Sequence, residues 1–271
     1  MKLIGFLLAL ISALASAQTV AQAEKKEVDA ELILAVDVSR SMSPGELEIQ
    51  RRGYAEALVS REVVSAITSG LLGRVAFLYV EWAGNQSHRV IVDWTLISNQ
   101  NEAEAFAARL TARFDSALRR TSISGVLDYG SEQFDKNNFI SSRKIIDVSG
   151  DGPNNQGRPV LSARDDTLTR GIVINGLPLM TKEGMGRQFH LDNLDAYYRN
   201  CVIGGPGSFI VPVLDWNQFP AAVRKKLVLE LVQSNEPSIV KVAQAFPAQT
   251  DYDCLIGEKI WDQFWRGWSE P

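Results

Sequence analysis

Residues 31–41 read Glu-Leu-Ile-Leu-Ala-Val-Asp-Val-Ser-Arg-Ser (ELILAVDVSRS), an unbroken apolar run that stops on Asp37 and passes into a serine-rich turn. A run without polar alternation is what a strand buried on both faces requires, as in a parallel sheet with helices above and below. Pro44 then opens a helical pattern over Glu46–Leu58. The pattern repeats along the chain. Strands are expected at Arg74–Val80, Arg89–Trp94, Lys144–Val148, Gly171–Ile174 and Ser208–Val213, with helices at Glu102–Phe114, Ser124–Phe134, Val160–Thr169 and Leu191–Val202. Only a short Gly-Asn turn separates the second strand from the third, so those two form an antiparallel pair. The expected fold is α/β: a doubly wound, mostly parallel, six-stranded sheet with helices on both faces.

In open sheets of this kind ligands bind beyond the carboxyl ends of the strands. The first strand ends in Asp37-x-Ser39-x-Ser41, and the fourth in Ser149-Gly150-Asp151-Gly152. Arg120-Thr121-Ser122 lies at the start of the helix between them. Two carboxylates and three hydroxyls are oxygen donors without His or Cys, a set that suits magnesium, manganese or calcium. With so few negative ligands, a bound ion keeps positive character and attracts an outside carboxylate. That is binding, with no nucleophile required.

The Asp-x-Ser-x-Ser stretch, the later Thr121 and the Asp151-Gly152 turn, in this order over roughly residues 29–235, resemble the metal-ion-dependent adhesion site of von Willebrand factor A domains. The resemblance implies Ser39, Ser41 and Thr121 as direct ligands, and Asp37 and Asp151 as ligands acting directly or through water. Magnesium is the preferred ion, with manganese or calcium as alternatives, and the partner is a protein offering an acidic residue. More narrowly, Val80-Glu81-Trp82-Ala83-Gly84, Asp147–Gly152, Ile174–Pro178 and Cys201–Gly207 resemble a bacterial family of exported A-type domains without assigned function.

Two positions depart from the broad A-domain pattern. Asp147 sits in mid-strand and Glu81 ends the second strand. A carboxylate within a sheet must be paired or protonated, because an unpaired buried charge is costly. Pairing with Arg74 or Arg143 is expected. The competing reading makes Glu81 and Asp147 accessory carboxylates of the metal site.

The ends of the chain read differently. Lys2, the apolar stretch Leu3–Leu14 and Ala15-Ser16-Ala17 form a three-part secretory signal, with a second small-residue site at Ala21-Gln22-Ala23. The apolar stretch is shorter than the ~20 residues of a spanning helix, so no stable membrane span is expected. Three regions follow: 1–23 as signal and short lead, 24–235 as the A-like domain, and 236–271 as an aromatic tail. Export places the protein in the periplasm or the medium. There Cys201 and Cys254, the two cysteines of the chain, are expected to form a disulfide contributing about 4 kcal/mol; two buried thiols that never meet are the alternative. Ile260, Trp261, Phe264, Trp265 and Trp268 fall on one side of a helix, either docked on the domain or exposed to a partner.

Composition excludes other classes. The net charge is −4 without a basic block, which excludes a nucleic-acid binder. Arg158 at the twelfth position breaks an EF-hand reading of residues 147–158. Gly204-Gly205-Pro206-Gly207 lacks the Lys-Ser/Thr of a phosphate loop and reads as a turn. No Gly-x-Ser-x-Gly elbow is present, and His88 and His190 lie outside any catalytic motif. The expectation is therefore a non-enzymatic, metal-dependent binding module. A hydrolase using a metal-bound water, or a scaffold with a structural metal, are the alternatives.

Overall fold

A computed structural model describes residues 24–112, 117–181, 191–232 and 252–269. The expected signal region, Phe114, His190 and the segment 233–251 lie outside the described residues, as do the side chains of Trp265 and Trp268. The apolar run that opens the domain becomes β2 (Ala30–Asp37), buried at every position, after a two-residue β1 (Lys26–Glu27). β2 pairs in parallel with β3 (Val75–Trp82) on one side and with β6 (Lys144–Gly150) on the other. β4 (His88–Ile97) runs antiparallel to β3, and β7 (Ile172–Pro178) runs parallel to β6. The main sheet is therefore five-stranded, in the order β4-β3-β2-β6-β7, while β1 pairs with β5 (Phe139–Ile140).

Alternating positions on each strand feed two separate cores. Leu32, Leu34 and Val36 face one core with Phe77, Tyr79 and Ile145; Ile33 and Ala35 face the other with Leu78, Val80 and Val148. The first core is closed by α1 (Pro44–Val59), α2 (Arg61–Thr68), α3 (Gln100–Thr111) and α7 (Phe219–Val232). The second is closed by α4 (Ile123–Gln133), α5 (Val160–Thr169) and α6 (Leu194–Tyr197), which continues as a π-turn over Tyr198–Val202. α8 (Ile256–Ser269) follows the Cys201–Cys254 disulfide, which is present with a Cα–Cα distance of 5.6 Å. No helix among the described residues is long and apolar enough to cross a membrane.

The expected sixth strand is reduced to isolated parallel bridges, Gly176↔Ile210 and Leu179↔Val213, that share one register with β7. Pro178 lies between those bridges and has no N–H to donate to the Val211 carbonyl, so no continuous ladder forms. α2 and α7 were not expected. Ser60 ends α1 and also caps α2, its hydroxyl accepting from the Val63 N–H, so the two run together in any periodicity.

Candidate metal centre at the strand ends

The end of β2 turns sharply at Asp37. Its Oδ1 accepts the main-chain N–H of Ser39 at 2.7 Å, an aspartate bonding two residues on to make its own turn. The Ser39 and Ser41 hydroxyls lie 2.9 Å apart, and the Ser41 hydroxyl donates to Asp151 Oδ1 at 2.9 Å. Asp37, Ser39, Ser41 and Asp151 thus form one hydrogen-bonded chain joining the ends of β2 and β6. The next turn is fixed by Ser43, which caps α1 reciprocally with Glu46. Gln50 on α1 reaches back to donate to the Asp37 carbonyl at 3.0 Å.

Thr121 arrives on a different loop. Leu118 bridges Ser39 and donates to the Val38 carbonyl at 2.8 Å, while Ser122 donates to the Ala83 carbonyl at 2.7 Å, so the loop that carries Thr121 passes from the serine turn to the end of β3. Asn155 then holds the Thr121 main chain from both sides: Thr121 N–H donates to Asn155 Oδ1 at 3.0 Å, and Asn155 N–H donates to the Thr121 carbonyl at 2.9 Å. Arg120, immediately before it, has φ of +75°, a left-handed conformation that costs an ordinary residue about 1–2 kcal/mol. Its guanidinium sits 3.9 Å from the centroid of the Trp261 ring on α8.

Two carboxylates repel one another at this corner. Asp37 is fully buried, and its Oδ2 has no hydrogen-bond partner among the described residues. Burial, and then the charge of Asp151, push the Asp37 carboxyl well above the usual carboxylate range. A positive ion between the two aspartates reverses both effects. Gly150 keeps the corner open, since a Cβ there would lie 2.9 Å from the Tyr198 hydroxyl and 3.1 Å from Asp37 Oδ2. The donors are oxygen throughout, and the residues present fit a small hard cation. Among the described residues no group of three or more His, Cys, Asp or Glu that could hold a metal ion is found.

The two departing carboxylates have other partners. Glu81 is gripped by Arg51 from α1 and Arg89 from β4, each at 2.5 Å. Asp147 meets Lys226 of α7 at 2.5 Å, and Lys226 also pairs with Glu230. The expected partners Arg74 and Arg143 are thus corrected. Arg143 donates to the main-chain carbonyl of Glu230, because its place at the opening of β6 sets it at the far end of the sheet from Glu81. Both carboxylates lie on the α1–α7 face with Tyr79 and Ile145, whereas Asp37 follows Ile33 and Ala35 on the opposite face. His88 stacks on Tyr129 at 4.4 Å and has its pKa lowered by burial, a packing role. The Gly204–Gly207 stretch is a turn, with positive φ at Gly205 and Gly207.

Sequence reasoning missed Asn154, Asn155, Arg120 and Tyr198. Asn154 accepts the Ser124 N–H at 3.0 Å and donates to Glu258 of α8 at 2.7 Å. The amide run Asn154-Asn155-Gln156, directly after Asp151-Gly152-Pro153, was the available signal: such side chains satisfy loop main chain.

The fold is shared with solved structures. Proximal thread matrix protein 1 from the mussel byssus aligns at 15% identity with a TM-score of 0.54, covering 77% of this chain and 49% of that one. The pilus adhesin SpaC from Lactobacillus rhamnosus GG aligns at 12% identity and TM-score 0.54, covering 77% and 31%. A second structure of the mussel protein, with a zinc-occupied MIDAS motif, aligns at 16% identity and TM-score 0.50, covering 77% and 49%. The chain spans about half the length of the mussel protein and about a third of the adhesin. No curated protein matches it in sequence. The family model described as "Protein of unknown function (DUF1194)" matches residues 27–235. The chain therefore belongs to that family, and its matched region folds as a von Willebrand A-like domain.

Proposed function

We propose that this protein is an exported, non-enzymatic binding module in which a divalent cation, magnesium by preference, is held by Asp37, Ser39, Ser41, Thr121 and Asp151 and takes an acidic side chain of a partner protein. The observation that carries the reading is the Asp37–Ser39–Ser41–Asp151 chain, closed at one end by a buried carboxylate oxygen without a hydrogen-bond partner among the described residues. An ion held by two carboxylates and three hydroxyls retains attraction for a further anion. The surroundings favour that anion too. Arg40 and Arg119 are exposed on neighbouring loops joined by the Ser39↔Leu118 bridge, and neither pairs with a carboxylate among the described residues. The zinc-occupied motif of the mussel protein and the adhesive role in the name of SpaC support the same class of function. Export is supported by the disulfide, which persists in oxidising compartments.

Calorimetric titration of the mature protein with magnesium, manganese and calcium tests the reading, alongside Ser39→Ala/Ser41→Ala. Saturable binding that disappears in the double variant is expected. A wild type that binds none of the three ions, or that hydrolyses a generic phosphate ester and loses this in Asp151→Asn, would overturn it.

A further inference from the structure

We infer that α8, which lies beyond the family-matched residues 27–235, is a strut that sets the Thr121 loop and so tunes the cation site; this rests on the metal-binding reading above. Two routes run from the helix to Thr121. One passes through Arg120, whose left-handed main chain fixes the direction in which Thr121 leaves the loop, and whose guanidinium lies on Trp261. A non-glycine residue keeps that conformation only where its surroundings hold it. The other passes through the Asn154-Asn155 pair. Glu258 accepts from Asn154, which accepts from Ser124 at the start of α4, while Asn155 clamps the Thr121 main chain, accepting its N–H on Oδ1 and donating its own N–H to the Thr121 carbonyl.

The helix is seated tightly enough for its position to matter. Gly257 lies so close to the Asn154 main chain that a Cβ would meet the Asn154 carbonyl oxygen at 2.1 Å. The disulfide to Cys201 pins the chain two residues ahead of the helix, and Tyr252 and Ile256 pack on the second core. Glu258, Arg120 and the Asn pair are therefore positioning residues, acting on the ligand set through Thr121.

The test uses the full mature chain and two readouts. Gly257→Ala pushes the helix off the loop without altering a functional side chain, and Trp261→Ala removes the platform under Arg120. Each is expected to weaken magnesium binding about tenfold or more, the usual effect of losing an outer-shell contact. Trp261→Phe should restore most of it, and Gln263→Ala, on the exposed side of α8, should leave it unchanged. Amide hydrogen exchange should quicken at Thr121, Ser124 and Asn155 in Gly257→Ala and Trp261→Ala, with the amides of β2 unchanged. Wild-type affinity and wild-type exchange in both variants would overturn the strut and leave the cation reading standing. A wild type that binds no cation, with exchange still responding to the variants, would sink the cation reading and leave the strut.

Discussion

Lys226 is the single positive charge in a buried triad with Asp147 and Glu230, and its removal should be costly in a way that removal of Asp147 is not. Its Nζ lies 2.5 Å from a carboxylate oxygen of each partner, and all three side chains are at most 1% exposed. Lys226→Met leaves two carboxylates facing one another without counter-charge. Breaking a buried pair in this way costs about 3–5 kcal/mol. For a domain of this size that corresponds to roughly 6–20 °C in Tm. Asp147→Asn instead keeps the Lys226–Glu230 pair and relieves the excess negative charge, so stability should stay within about 1 kcal/mol of wild type. The pH dependence separates the two variants further. Burial, aided by Glu230 and opposed by Lys226, pushes the Asp147 carboxyl up to about 7. Its unfolded value is near 4, so the folded protein binds this proton more tightly and stability falls as pH rises from about 4 to 7. Asp147→Asn should flatten that slope. Urea unfolding followed by circular dichroism at pH 5 and pH 7.5 measures all of this. A Lys226→Met variant as stable as wild type, or an Asp147→Asn variant as damaged as Lys226→Met, would refute the assigned charges.

Two further outcomes are expected. Arg40→Glu/Arg119→Glu should bind an aspartate-rich peptide at least about tenfold more weakly at low salt, with the difference shrinking at high salt, while magnesium binding by the protein alone is preserved; surface plasmon resonance at two ionic strengths checks it. Gly53→Ala should cost about 1–3 kcal/mol in urea unfolding, because a Cβ on α1 would lie 2.5 Å from the Phe219 ring of α7 and force the two helices apart.

The strand ends were legible because parallel strands buried on both faces leave no polar alternation to confuse the reading, and because the ligand motif is local. Asp37, Ser39 and Ser41 lie within five residues, and their hydrogen bonds are made inside that turn or to Asp151. α7 was illegible for the opposite reason. Its buried stripe Phe219, Val223, Leu227 and Leu231 is interrupted by buried Lys226 and Glu230, which read as solvent-facing until Asp147, in mid-sheet, is placed against them. That Asp147 and Glu81 needed partners followed from desolvation alone. Which partners they take did not, since Lys226 and Arg51 reach them from helices far along the chain. The role of α8 was equally hidden: its aromatic stripe was visible, whereas its contacts with Asn154 and Arg120 depend on the disulfide and on a close approach at Gly257.

The broken sixth strand also bears on how the molecule behaves at high concentration. An open sheet ends in a row of unpaired donors and acceptors on which a neighbouring chain can add a strand, the first step of many aggregation routes. Beside β7 that row is partly taken by residues 208–213, whose N–H groups at Val211 and Val213 are already spent on Gly176 and Pro178. Pro212 contributes no donor between them, so the segment that closes this edge is itself a poor template for strand addition. Irregularity at this edge guards the sheet against self-association.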